Sequence, residues 1–110
     1  MSHYRNGRDR EYRVRDDMIA HGWHCVVRAS SSKGAADLVM CHPDHGIALV
    51  QVGSRTKTLG PDARVRLCDL ADMGGALALL AVVVPRAPIA YWQVNRSTPR
   101  GWRAERRAAA

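Results

Sequence analysis

Nine consecutive apolar residues, ALALLAVVV at positions 76–84, run without a polar break until Pro85 stops them. A strand with one wet face alternates apolar and polar side chains, so this run predicts a central strand covered on both faces. The whole chain has 110 residues, enough for one core and too few for two. Spanning a bilayer takes about 20 apolar residues, so the same run excludes a membrane segment.

The rest of the chain supplies the covering layers and the neighbouring strands. Residues 6–21 place Glu11, Val14 and Met18 on one helical face, with Tyr12 and Ile19 flanking it, and Gly22 ends that helix. Residues 24–29 (HCVVRA) read as a strand, followed by the turn-forming cluster Ser30-Ser31-Ser32-Lys33-Gly34. Two apolar stretches, 35–41 and 47–53, flank His42-Pro43-Asp44-His45-Gly46 and predict a β-hairpin. Pro61-Asp62 opens a second helix with Ala63, Leu67, Leu70, Ala71 and Met73 on its apolar face, and Gly74-Gly75 closes it. Residues 89–94 give a last strand. The predicted class is α/β, a small mixed sheet flanked by helices in the order α-β-β-β-α-β-β. Residues 1–95 form the domain, and 96–110 read as a basic tail.

Folding the hairpin about Asp44 pairs residues whose numbers sum to 88, which sets Asp37 opposite Gln51 and Ala35 opposite Gly53. Alternation then puts Asp37, Gln51 and Gly53 on one face, with paired Cβ atoms roughly 5 Å apart, close enough to share a divalent cation. An acid inside an apolar strand is costly without compensation. Two roles are open to Asp37: a site residue, or a cap on the Ser/Gly loop before it. Glu11, one of two glutamates in the chain, lies on the helix face expected to meet the sheet.

Seventeen Lys and Arg against ten Asp and Glu give a net charge of +7 and a pI near 10.2, a footprint suited to polyanions such as nucleic acid. Arg5, Arg8, Arg10, Arg13 and Arg15 cluster around the first helix, and Arg5, Arg8 and Arg10 are the expected phosphate contacts. Cys25, Cys41 and Cys68 are odd in number and contain no CxxC pair, so free thiols and a reducing, cytoplasmic setting are expected. Cys41, His42 and His45 lack a fourth ligand spaced to complete a tetrahedral zinc site. Trp23, Trp92 and Trp102 are expected to cover apolar surface, with Trp102 among the tail arginines the exception.

Taken in order, Gly7-x-x-x-Glu11, residues 28–37 (RASSSKGAAD) and residues 48–53 (ALVQVG) resemble archaeal-type Holliday junction resolvases of the PD-(D/E)XK nuclease superfamily. The resemblance runs from about residue 8 to residue 94. It implies a restriction-endonuclease-like fold and a homodimer that binds four-way DNA junctions. It also implies phosphodiester cleavage with Mg²⁺, or Mn²⁺ in its place. By the same resemblance Glu11 helps to hold the metal or its water, Asp37 is a metal ligand, and the loop serine is one of Ser30, Ser31 and Ser32, with Ser31 at its centre.

The family's Glu-x-Lys appears here as Gln51-Val52-Gly53. Glutamine still offers a neutral oxygen to the metal, whereas glycine offers nothing in place of the lysine. A cation from elsewhere has to stabilise charge on the phosphate, and Arg55, Lys57 and Lys33 are the nearest in sequence, with Lys33 and Arg55 also expected to contact DNA. The alternatives are a nuclease-fold DNA-binding protein with weakened or absent catalysis, and a repair endonuclease of the same superfamily.

Overall fold

The computed structural model describes residues 3–28, 36–54, 59–96 and 105–107, with side chains described over 7–28, 36–54 and 59–96. The elements are α1 (His3–Ala20), β1 (His24–Arg28), β2 (Leu38–His42), β3 (Gly46–Gly53), α2 (Pro61–Gly74), β4 (Leu77–Val82), β5 (Ala90–Gln93) and β6 (Glu105–Arg107). They build one mixed sheet in the order β1-β2-β3-β4-β5-β6. β3 and β4 are parallel and every other pair is antiparallel. A parallel step needs a crossover, and α2 provides it.

The apolar run is central, as its composition predicts, and its two faces feed two cores. Leu79, Ala81 and Val83 pack with Val14, Met18 and Trp23 on the α1 side. Ala78, Leu80 and Val82 pack with Leu67, Cys68 and Ala71 on the α2 side. Val14 and Met18 are fully buried, whereas Ile19 at the edge of the α1 face is exposed. A partly buried bond ties α1 to β5, the Tyr91 hydroxyl donating to Asp17 Oδ2 at 2.6 Å. Burial, and then the Asp17 acceptor, push the Tyr91 phenol far above its usual pKa. Tyr91→Phe is expected to cost about 1–2 kcal/mol in urea unfolding, because it strands a half-buried acceptor.

Pro61 starts α2 after Gly60, and Gly75 ends it at φ 64°, with the cap N–H groups reaching the Ala71 and Asp72 carbonyls. The buried stripe is Arg64, Leu67, Cys68 and Ala71, spaced i, i+3, i+4, i+7. Leu70 and Met73, expected on that face from their hydrophobicity, are exposed instead, Met73 by 77%. The helix is rotated so that its small residues approach the sheet closely, and an arginine takes the first buried place.

The hairpin keeps the predicted register from Leu38↔Val50 to His42↔Gly46. Its first strand begins later than the apolar stretch suggests, after Asp37. At the other edge, β6 pairs Glu105, Arg106 and Arg107 with Gln93, Trp92 and Tyr91, so part of the segment read as a tail extends the sheet. Its polar sequence carries no strand periodicity, and pairing with an edge needs only backbone groups. All three cysteines are free. No helix among the described residues is long and apolar enough to cross a membrane.

Candidate functional site

Asp37 stands where the hairpin's alternation breaks. Ala36 packs against the α2-side core and Leu38 against the α1-side core, although residues two apart on a regular strand share a face. The turn of the backbone between them directs the Asp37 side chain along the ladder. Its N–H donates to the Val50 carbonyl at 2.8 Å, and its Oδ2 accepts the Val52 N–H at 2.8 Å. A carboxylate thus takes the place of a backbone acceptor at the end of β2. This differs from the simple facing pair of Asp37 and Gln51: Gln51 keeps the parity of Leu49, which belongs to the α2 side. Asp37 and Gln51 are both half-buried and so retain contact with solvent.

Glu11 reaches the same region from α1, one turn before Val14. Its Oε1 accepts a charged hydrogen bond from Arg28 Nη1 at 3.0 Å, with both side chains mostly buried. The Arg28 guanidinium also lies 4.8 Å from the centre of the Tyr12 ring, so an aromatic face and a carboxylate fix its position. Burial pushes the Glu11 carboxyl above its usual 4.5; the Arg28 bond opposes this, and repulsion from Asp37 adds to it. Two carboxylates from different elements therefore share one electrostatic neighbourhood.

A carboxyl raised in the folded state lends stability that is complete below the unfolded value and is lost as pH rises through the folded one. Relative to Glu11→Gln, the wild-type protein is therefore expected to gain stability as pH falls from neutrality toward 4.5. Urea unfolding of both proteins across that range measures the difference. A difference that does not change with pH contradicts the assignment.

The remaining expected residues divide. Arg8 is exposed, and Arg10 is half-buried and acts attractively on Glu11. Gly53 is buried, its carbonyl accepting the Val83 N–H at 2.8 Å. Ser31, Lys33, Arg55 and Lys57, with Ser30 and Ser32, lie outside the described residues, as do Ala35, Trp102 and the side chain of Arg5. His42 and His45 pack on Trp23, with ring centres 5.1 and 5.7 Å away.

Sequence reasoning missed Arg64. It is 6% exposed, donates through Nη1 to the Leu59 carbonyl at 3.0 Å, and leaves Nε buried without a partner. Among the described residues it forms no ion pair. It heads the sheet-facing stripe of α2, whose far end meets the start of β4 through the Ala76 N–H to Ala71 carbonyl bond. Arg64 therefore covers the opposite end, where β3 and β4 finish at the paired Gly53 and Val82. The i, i+3, i+4, i+7 relation to Leu67, Cys68 and Ala71 was the available signal. Replacing an uncompensated buried charge with an apolar group of similar length is commonly neutral or stabilising. Arg64→Met is accordingly expected to leave the urea midpoint unchanged or raised.

As donors, Glu11 and Asp37 offer hard carboxylate oxygens, which suit Mg²⁺ or Mn²⁺ and not a softer ion, whereas Gln51 follows the parity of the opposite, α2 side. Mg²⁺ commonly binds through one or two carboxylates and keeps several waters, so this chemistry fits it. Among the described residues, no three His, Cys, Asp or Glu side chains are gathered as a metal-binding group.

No family model matches the chain, and no curated protein matches it. Its backbone is similar to a solved structure of Hjc, a Holliday junction resolvase from the archaeal hyperthermophile Archaeoglobus fulgidus. The TM-score is 0.69 and the identity 21%, over 80% of this chain and 72% of that one. The mixed sheet with its two helices is thus the fold of that nuclease.

Proposed function

We propose that this protein is a divalent-metal-dependent endonuclease that cuts branched DNA, four-way junctions in particular, as a homodimer. The observation that carries this reading is the backbone similarity to Hjc, together with a half-buried Asp37 carboxylate held by the Val52 N–H just before β2. Partly buried carboxylates that repel one another are poised to hold a cation. The net charge of +7 supports the reading.

In this reading Asp37 and Glu11 would hold Mg²⁺, and Gln51, which keeps the parity of the α2 side, is not assigned to it. The metal supplies Lewis-acid polarisation of the phosphate and a more acidic water. Asp37 is oriented by the Val52 N–H and Glu11 by Arg28. Arg8 and Arg10, with Arg5, Lys33 and Arg55, hold the sugar-phosphate backbone. In the same reading Ser31 is the family's loop serine and Lys57 a candidate for the missing cation. Gly53 stands where the family has its lysine, and Arg64, buried on the α2 side and bonded to the Leu59 carbonyl, is not placed to replace it.

The second reading, a DNA-binding protein with weak or absent catalysis, is favoured by one observation. Arg28 already neutralises Glu11 at 3.0 Å, so a metal has to compete with it. Labelled four-way junction, flap and plain duplex, each incubated with Mg²⁺ or Mn²⁺, separate the readings. Cleavage selective for the junction is expected. Salt-sensitive junction binding with no cutting under either ion overturns the enzymatic reading in favour of the second.

A further inference from the structure

A concavity opens beside the residues that follow β3 and β4. It is a cleft of about 550 Å³ between the first half of α1 and the ends of β3 and β4, within the size range of small-molecule sites, roughly 300–1,000 Å³. Val83, Val84 and Pro85 give it an apolar lining, and Asp9, Arg10 and Ser54 a polar one.

Three features make this a built site. Arg13, which also lines the cleft, donates to the carbonyls of both Val84 and Ala87, so the apolar lining is anchored to α1. The turn it grips closes through the Ala87 N–H to Val84 carbonyl bond and holds Arg86 at φ 61°. That conformation is uncommon for a non-glycine residue and marks a backbone held by its surroundings. Third, Arg10 lines the cleft and, apart from its attraction to Glu11, forms no hydrogen bond or ion pair among the described residues. Arg10 is half-buried even so, and a partly desolvated guanidinium favours an anionic partner.

Apolar lining together with a half-buried guanidinium matches a ligand with a flat apolar part and a phosphate. We infer that this cleft binds one deoxynucleotide unit of a DNA strand, its phosphate on Arg10 and its base and sugar against Val84 and Pro85. The inference rests on the DNA-directed reading above and adds to it a place where the strand next to the cut is gripped. Asp9 in the polar lining disfavours a second phosphate close to the first, which limits the cleft to a single unit.

Amide NMR of the full chain, titrated without metal, tests the inference with 2′-deoxyadenosine 5′-monophosphate, deoxyadenosine and inorganic phosphate as separate probes. The monophosphate is expected to shift the Ser54, Val83 and Val84 amides and to bind more tightly than either other probe. Arg10→Gln is expected to weaken it about tenfold, and Val84→Trp, which fills the cleft, to abolish it. Should Val84→Trp fail to fold, Arg10→Gln carries the test alone. No shift at those amides overturns the inference, and so does inorganic phosphate binding as well as the nucleotide. Junction binding by gel shift runs in parallel. A protein that binds junctions with an unresponsive cleft loses this inference only. A cleft that takes the nucleotide in a protein that ignores junctions loses the junction-cutting reading only.

Discussion

Asp37→Asn is expected to lower junction cleavage by at least about a hundredfold, the scale seen when one electrostatic group is removed from an active site, while the protein stays folded. The two effects separate because the side chain does two things. Its Oδ2 accepts the Val52 N–H, and an asparagine oxygen can do the same. Its charge, which acts on Glu11 and is proposed to hold the metal, disappears. Asp37→Ala removes both and leaves a backbone donor without its acceptor, a cost of about 1–3 kcal/mol. Cleavage of labelled junction at saturating Mg²⁺, with urea unfolding of each variant, reads both quantities. Full activity in Asp37→Asn removes Asp37 from the mechanism and leaves it as a cap on the strand end.

Salt provides the second large effect. Raising the salt from 50 to 200 mM without divalent metal is expected to weaken junction binding by about a thousandfold, the loss typical of some six or more phosphate contacts. The basis is the net charge of +7, and fifteen of the seventeen basic residues are arginine. Arg8 at the start of α1 is exposed and Arg10 half-buried, on the element that also carries Glu11. Arg8→Gln and Arg10→Gln together are expected to flatten the salt dependence as well as lower the affinity. Binding that hardly changes with salt contradicts the proposed phosphate contacts.

What was legible in the sequence follows from what periodicity can encode. The two-faced strand at 76–84 announced itself because no polar residue interrupted it, and both cores form around it. The hairpin register was legible because the turn His42-Pro43-Asp44-His45-Gly46 and the flanking apolar stretches fix it together. The geometry of Asp37 was not, since alternation assumes a regular strand and the chain turns between Ala36 and Leu38. Arg64 escaped for a related reason: a hydrophobic pattern skips a charged residue, whereas burial on α2 follows helical position. Leu70 and Met73 are the converse, apolar in type but exposed by position. The pairing of Glu105–Arg107 with β5 rests on backbone hydrogen bonds, which leave no trace in side-chain composition.

Mn²⁺ is paramagnetic and broadens the NMR signals of nearby amides, so titrating it into the full chain locates a hard-cation site independently of cleavage. The proposed site predicts selective broadening at Glu11, Asp37 and Val52, and the loss of that pattern in Asp37→Asn. Broadening confined to other residues, or none at these three, contradicts the assignment of Glu11 and Asp37 as the metal-holding pair.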